Sequence, residues 1–163
     1  MCIRDSFRAV LDDPQNLEAR AAMQLGAAYA GLAIENSMLG ASDALANPLT
    51  ATYGTAHGQA VGLMLPHVVR FNGQTNDGWY RELLSVTAGV DGMPAADSGA
   101  EGLAELLTEL VAAAGLHTKL EPCGVNADQM TELAGAAAKQ WTGTFNPREV
   151  DSQSLLQMYQ QAF

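Results

Sequence analysis

The chain has 163 residues, 48% hydrophobic and 16% charged, enough for one domain with a sizeable core. A net charge of -10 and a pI near 4.5 leave no basic patch to neutralise phosphates, which argues against a nucleic-acid partner. Two cysteines, Cys2 and Cys123, make no disulfide framework; with no signal peptide and no membrane span in the sequence, a reduced cytoplasmic setting is expected.

In chain order, the alanine-rich, aromatic-poor composition predicts helices throughout. The opening MCIRDS matches nothing that follows and reads as a non-native leader, so residues 1–6 are set aside and the domain is taken as 7–163. Asp13-Pro14 predicts the start of a long helix reaching about Met38, and its run Ala21 to Ile34, too short to span a membrane, reads as a buried core helix. A second helix is expected over Ser42 to Thr52, shaped by Pro48, and a third over Gly58 to Phe71, with Val61, Met64, Leu65 and Val68 inward and a kink at Pro66. Gln74 to Gly78 reads as a turn, Trp79 to Ala88 as a short helix and Gly89 to Asp97 as a loop. Ser98 and Glu101 form a capping-box pattern ahead of an amphipathic helix carrying Leu103, Leu106, Leu107, Leu110 and Val111. A connector over Leu116 to Gly124 leads to a helix capped by Asn126 with Met130, Leu133, Ala134 and Ala137 inward. A loop over Trp141 to Pro147 precedes a last helix opened by Asp151, with Leu155, Leu156 and Tyr159 on one face. No alternating strand is visible, so the fold class is all-α.

The stretch Gly40 to Asn72 organises the chain. From Ala44 to Val69 it holds 26 residues without Asp, Glu, Lys or Arg, in a protein with charge to spare. Such a segment is expected to be buried, and its few polar side chains need partners or a chemical role. These are Asp43, Asn47, His57 and His67. Asp43 and Asn47 share one helix face, and His57 follows a turn at Tyr53-Gly54, so two successive helices are expected to bring a carboxylate and an imidazole to one point. Gly58, next to His57, lets a backbone or ligand come close.

This stretch resembles the C-terminal signature of iron-containing (group III) alcohol dehydrogenases. The carriers of the resemblance are Ala56-His57-Gly58 and LPHVVRFN at Leu65 to Asn72, with the upstream run ARAAMQLGAAYAGLAIENSMLGA from Ala19 and FNPR at Phe145 to Arg148. It extends over about Phe7 to Phe163. The resemblance implies a helical bundle like the C-terminal domain of the dehydroquinate synthase-like fold, from a longer two-domain enzyme. In that family a divalent metal, Fe2+ or Zn2+, is held between the domains by an Asp and three His; it polarises an alcohol so that hydride passes to NAD(P). By motif match, metal ligands fall on His57 and Asp43, the latter where the family usually has His. Asn47 stands where the family has a second His; it cannot act as acid or base, but it can hydrogen-bond substrate or cofactor. His67 reads as structural, His117 as solvated, Cys123 as inert, and Trp79 and Trp141 as packing anchors.

The resemblance further implies a small alcohol or aldehyde as substrate and a nucleotide-binding N-terminal domain as structural partner. No strand, Gly-rich turn and helix for a dinucleotide occurs in this chain, so the isolated chain is expected to be inactive, to hold metal weakly and, with an open face around Asp43 and His57, to self-associate or be marginally stable. Two other readings stand beside this one. One is a dehydroquinate synthase or glycerol-1-phosphate dehydrogenase relative, suggested by His57 to Met64; the other is a non-catalytic helical interaction module.

Overall fold

A computed structural model describes residues 3–88 and 93–163, with side chains from residue 6 onward. Cys2 and part of the loop expected over Gly89 to Asp97 lie outside the described residues. Seven α-helices and several short 3-10 turns make up the described chain, with no strand among them. No helix among the described residues is long and apolar enough to cross a membrane.

The chain divides into two units, residues 1–38 and 39–163. The first holds α1 (Ile3–Asp12) and α2 (Leu17–Asn36). α1 crosses the boundary placed at residue 6. The start expected at Asp13-Pro14 is instead a turn: Asn16 caps α2, its side chain accepting from the Ala19 N–H at 3.0 Å, which satisfies one of the orphan donors of the first turn. α2 corrects a second expectation. Only Ala19 and Ala22 are buried, while Leu25, Tyr29, Leu32 and Ile34 are exposed. Its apolar residues surround the helix instead of forming one stripe, so composition alone marked it as core.

The second unit contains α3 (Ala41–Tyr53), α4 (His57–Ser85), α5 (Gly99–Ala113), α6 (Met130–Ala137) and α7 (Ser152–Gln161). Gly54, left-handed at φ 67°, ends α3 and lets α4 start three residues later; a side chain there would be strained. The main core joins α3, α4, α6 and α7 through Leu45, Leu49, Leu63, Met64, Leu133, Leu155 and Tyr159, all at most 3% exposed. Tyr159 donates its hydroxyl to the Leu45 carbonyl at 2.6 Å, so the one polar tip in this core is satisfied.

A smaller core of Val69, Ala100 and Ala104 joins α4 to α5. The two helices come so close at Gly73 that a Cβ there would stand 2.2 Å from that of Ala100, which makes Gly73 a packing requirement. Arg70 clamps the same pair of helices with a two-nitrogen fork on Glu101 at 2.7–3.0 Å.

Several local expectations are corrected. α4 stays helical through Pro66, whose ring is buried, and breaks at Asn76 (φ -125°, ψ 27°), so the expected turn and the short helix after it are one helix across a kink. Ser98 and Glu101 make no capping box. Ser98 bonds back to Ala95, Glu101 is held by Arg70, and the N–H of Ala100 is taken by Asp77 from α4 at 2.8 Å. That N–H, with the Arg81 guanidinium beside it, holds the Asp77 carboxyl below its ordinary range. Trp79 and Trp141 are not anchors; both are more than half exposed. Asp151 opens α7 as expected, and it makes a complete capping box with Ser154.

Candidate metal centre

Two helix starts build the site. α3 begins at Ala41, which places Asp43 in its first turn, where the unpaired N–H groups and the helix dipole favour a carboxylate. α4 begins at His57. The short link between the helices sets the two starts so that Asp43 Oδ1 lies 3.4 Å from His57 Nε2. The expected meeting of carboxylate and imidazole is therefore present in the fold. Asp43 is mostly enclosed, its side chain 16% exposed, and His57 opens outward at 52%. A side-chain atom added at Gly58 would meet nothing within 4 Å, so the approach to His57 is open.

The separation is informative. At 3.4 Å the pair is longer than an ordinary N–H···O bond, and neither side chain makes a hydrogen bond within the described residues. Two donors on one tetrahedral ion, each about 2.0–2.2 Å from it, sit roughly 3.4 Å apart. An oxygen and an imidazole nitrogen are also donors that Fe2+ and Zn2+ accept. The pair thus fits part of a metal shell. Among the described residues no group of three or more His, Cys, Asp or Glu comes together, so these two donors make at most part of a metal shell there.

Asn47, one turn after Asp43, donates its Nδ2 to Gln140 Oε1 at 3.0 Å, which leaves its own Oδ1 as an acceptor without a partner within the described residues. Gln140 precedes a 3-10 turn, Trp141–Phe145, that packs on α3. His67 lies elsewhere, half-buried at the wall between two open clefts of about 620 and 630 Å3 that also share Arg70; neither is lined by Asp43 or His57. Burial, and then the Arg70 charge, push the His67 imidazole down to about 4, so it is neutral at pH 7. His117 is exposed and bonds only through its backbone, to Gln59. Burial pushes the Cys123 thiol up, which makes it a poor nucleophile.

Two residues outside the candidate set connect to the site. Asn72, 5% exposed, and Asn146 form a reciprocal amide pair at 2.8 and 3.2 Å, and Asn146 Oδ1 also accepts the Ala41 N–H at the start of α3. Arg148 donates to the Phe71 carbonyl and to Gln74 and lies 3.8 Å over the Phe71 ring. Phe71, Asn72, Asn146 and Arg148 fall inside the RFN and FNPR segments of the sequence; the motifs were visible, but their pairing was not.

The whole chain, residues 1–163, matches the family model described as "Fe-containing alcohol dehydrogenase family, C-terminal". It is similar to lactaldehyde reductase of Escherichia coli K12, with 32% identity over 142 residues, 86% of this chain and 37% of the relative. In structure it is similar to an alcohol dehydrogenase from Oenococcus oeni, with TM-score 0.87, 26% identity, 98% of this chain and 42% of the other. It also resembles sulfoacetaldehyde reductase from Bifidobacterium kashiwanohense in complex with NAD+, with TM-score 0.79, 25% identity, 95% of this chain and 39% of the other. The chain thus spans about 37% of the length of the curated relative it matches.

Proposed function

The chain belongs to the Fe-containing alcohol dehydrogenase family, of which it represents the C-terminal helical part, and from that premise we propose that it forms the metal-side wall of an NAD(P)-linked alcohol dehydrogenase active site. The reaction is interconversion of an alcohol and its aldehyde or ketone: the carbinol carbon gives a hydride to the nicotinamide and the hydroxyl gives up its proton. The observation that carries this reading is the Asp43–His57 pair, two metal-compatible donors 3.4 Å apart at two adjacent helix starts.

In this reading Asp43 and His57 hold a divalent ion, Fe2+ or Zn2+, together with ligands that we place in the part of the relatives' length this chain does not span. The ion supplies Lewis acidity toward the alcohol oxygen. The first turn of α3 fixes Asp43, and the helix dipole favours a negative charge there. His57 presents its Nε2 at the mouth of α4 with no internal hydrogen bond to break. Asn47, with its amide nitrogen committed to Gln140, offers its carbonyl oxygen as an acceptor for a substrate or cofactor hydroxyl. The NAD(P) site is likewise placed in the uncovered part; the NAD+ complex of the Bifidobacterium relative supports a nicotinamide partner.

The test is titration of the 163-residue chain with Zn2+, and with Fe2+ under anaerobic conditions. Weak binding is expected, reduced at least tenfold by His57→Ala and by Asp43→Ala. Equal affinity in all three proteins overturns the ligand assignment. The chain on its own is expected to reduce neither NAD+ nor NADP+ with any alcohol, and sustained turnover by it would overturn the placement of the cofactor site elsewhere.

A further inference from the structure

Asp43 is the third residue of α3, and a helix start holds its shape only if its orphan N–H groups find acceptors. The residue at the cap position is Gly40, which has no side chain to offer, and no side-chain cap is made locally. The acceptor comes from 105 residues away: Asn146 Oδ1 takes the Ala41 N–H at 3.4 Å. The carboxamide that does this is itself fixed on every side. Its Oδ1 also accepts from Asn72 Nδ2 at 3.2 Å, and its Nδ2 donates to Asn72 Oδ1 at 2.8 Å and to the Arg148 carbonyl at 2.6 Å. Two donors and two acceptors are all used, so the side chain has one orientation.

Asn72 belongs to α4, the helix that carries His57, and Ala41 to α3, the helix that carries Asp43. Asn146 therefore bonds both helices at once. We infer that Asn146 is a positioning residue for the Asp43–His57 pair: it pins the first turn of α3 to α4 and so sets where the Asp43 carboxylate stands relative to the His57 imidazole. The functional side of this inference rests on the reading of that pair as metal ligands; the structural side does not. Asn146 touches neither Asp43 nor His57 in its hydrogen bonds, so its effect reaches the site only through the helix start.

The experiment compares the unsubstituted chain with Asn146→Ala, with Gly40→Ala and with Val125→Ala. Gly40→Ala is the milder probe, since a Cβ at that position would stand 3.3 Å from Asn146 Oδ1 and press it off the Ala41 N–H while every partner remains. Gly40 has an extended φ of -136°, which alanine adopts freely. Val125 is a 2% exposed core residue on the connector before α6 and controls for a general loss of stability. Two quantities are read: amide hydrogen exchange at Ala41, Ala44 and Leu45, and Zn2+ affinity. Asn146→Ala is expected to speed exchange at those amides at least tenfold beyond the change at α6 and to weaken Zn2+ at least tenfold. Gly40→Ala is expected to do the same by about threefold, and Val125→Ala to leave both ratios unchanged. If Asn146→Ala does not fold, Gly40→Ala decides. Unchanged exchange at the start of α3 with Zn2+ binding intact overturns the positioning role alone. Absence of Zn2+ binding by the unsubstituted chain overturns the ligand reading and the functional side with it. Equal losses in Asn146→Ala and Val125→Ala overturn the inference as well, since they mark a general stability effect.

Discussion

The two halves of α4 treat polar groups in opposite ways. At its start His57 faces Asp43 across 3.4 Å without a hydrogen bond, half open to solvent. Four turns on, Asn72, Asn146 and Arg148 form a network in which the Asn146 amide has every donor and acceptor used. A folded chain that was optimising stability alone would satisfy both ends, since polar groups gain little by being left open. The closed end is where the structure is held; the open end leaves its donors without hydrogen bonds among the described residues.

That contrast is open to measurement. Asn72→Ala leaves half of the Asn146 amide without partners in an enclosed place and is expected to cost about 2–3 kcal/mol in urea unfolding. Arg148→Ala removes the bonds to Phe71 and Gln74 and the contact over the Phe71 ring, and is expected to cost about 1.5–2 kcal/mol. Midway along the helix, His67 supplies a pH test. Its imidazole is pushed down to about 4 in the folded chain, below the ordinary value of 6.5. Between those two values the unfolded chain binds a proton that the folded chain does not, so stability falls as pH is lowered from 6.5 toward 4 and is fully present above 6.5. With solvent screening at this half-buried site the loss is expected to be about 1–2 kcal/mol, and His67→Gln should flatten it. The smallest effects belong to the open end: His57→Ala and Asp43→Ala are expected to change stability by less than about 0.5 kcal/mol without metal, while abolishing any rise in melting temperature on adding Zn2+. Comparable losses at both ends of α4 would erase the distinction; a selective loss of the Zn2+ response would sharpen it.

How far the sequence could be read follows the same division. The meeting of Asp43 and His57 was legible because they are close in sequence and sit at helix starts beside and within a charge-free run. The helix class and the inward faces of α6 and α7 were legible from periodicity, with Met130, Leu133, Ala134, Ala137, Leu155 and Tyr159 all buried. What failed needed knowledge of distant partners. Ser98 and Glu101 satisfy a local capping rule, yet Asp77 and Arg70 on another helix compete for those roles. α2 has the composition of a core helix, but composition cannot say which face meets a neighbour. The large side chains of Trp79 and Trp141 suggested anchors and are mostly in water. The Asn72–Asn146 pair spans 74 positions, and no single-chain periodicity links residues so far apart.

That span also orders events during synthesis. A chain emerging from the ribosome presents Asp43, His57 and Asn72 long before it presents Asn146 and Arg148. α3 and α4 can form and collapse on each other early, but the acceptor for the Ala41 N–H arrives 105 residues after its donor. Domains fold as units once their closing contacts are available. The segment from Asn146 therefore acts as a latch on work begun a hundred residues earlier, and a nascent chain halted before Asn146 would carry Asp43 on a helix start that nothing yet fastens.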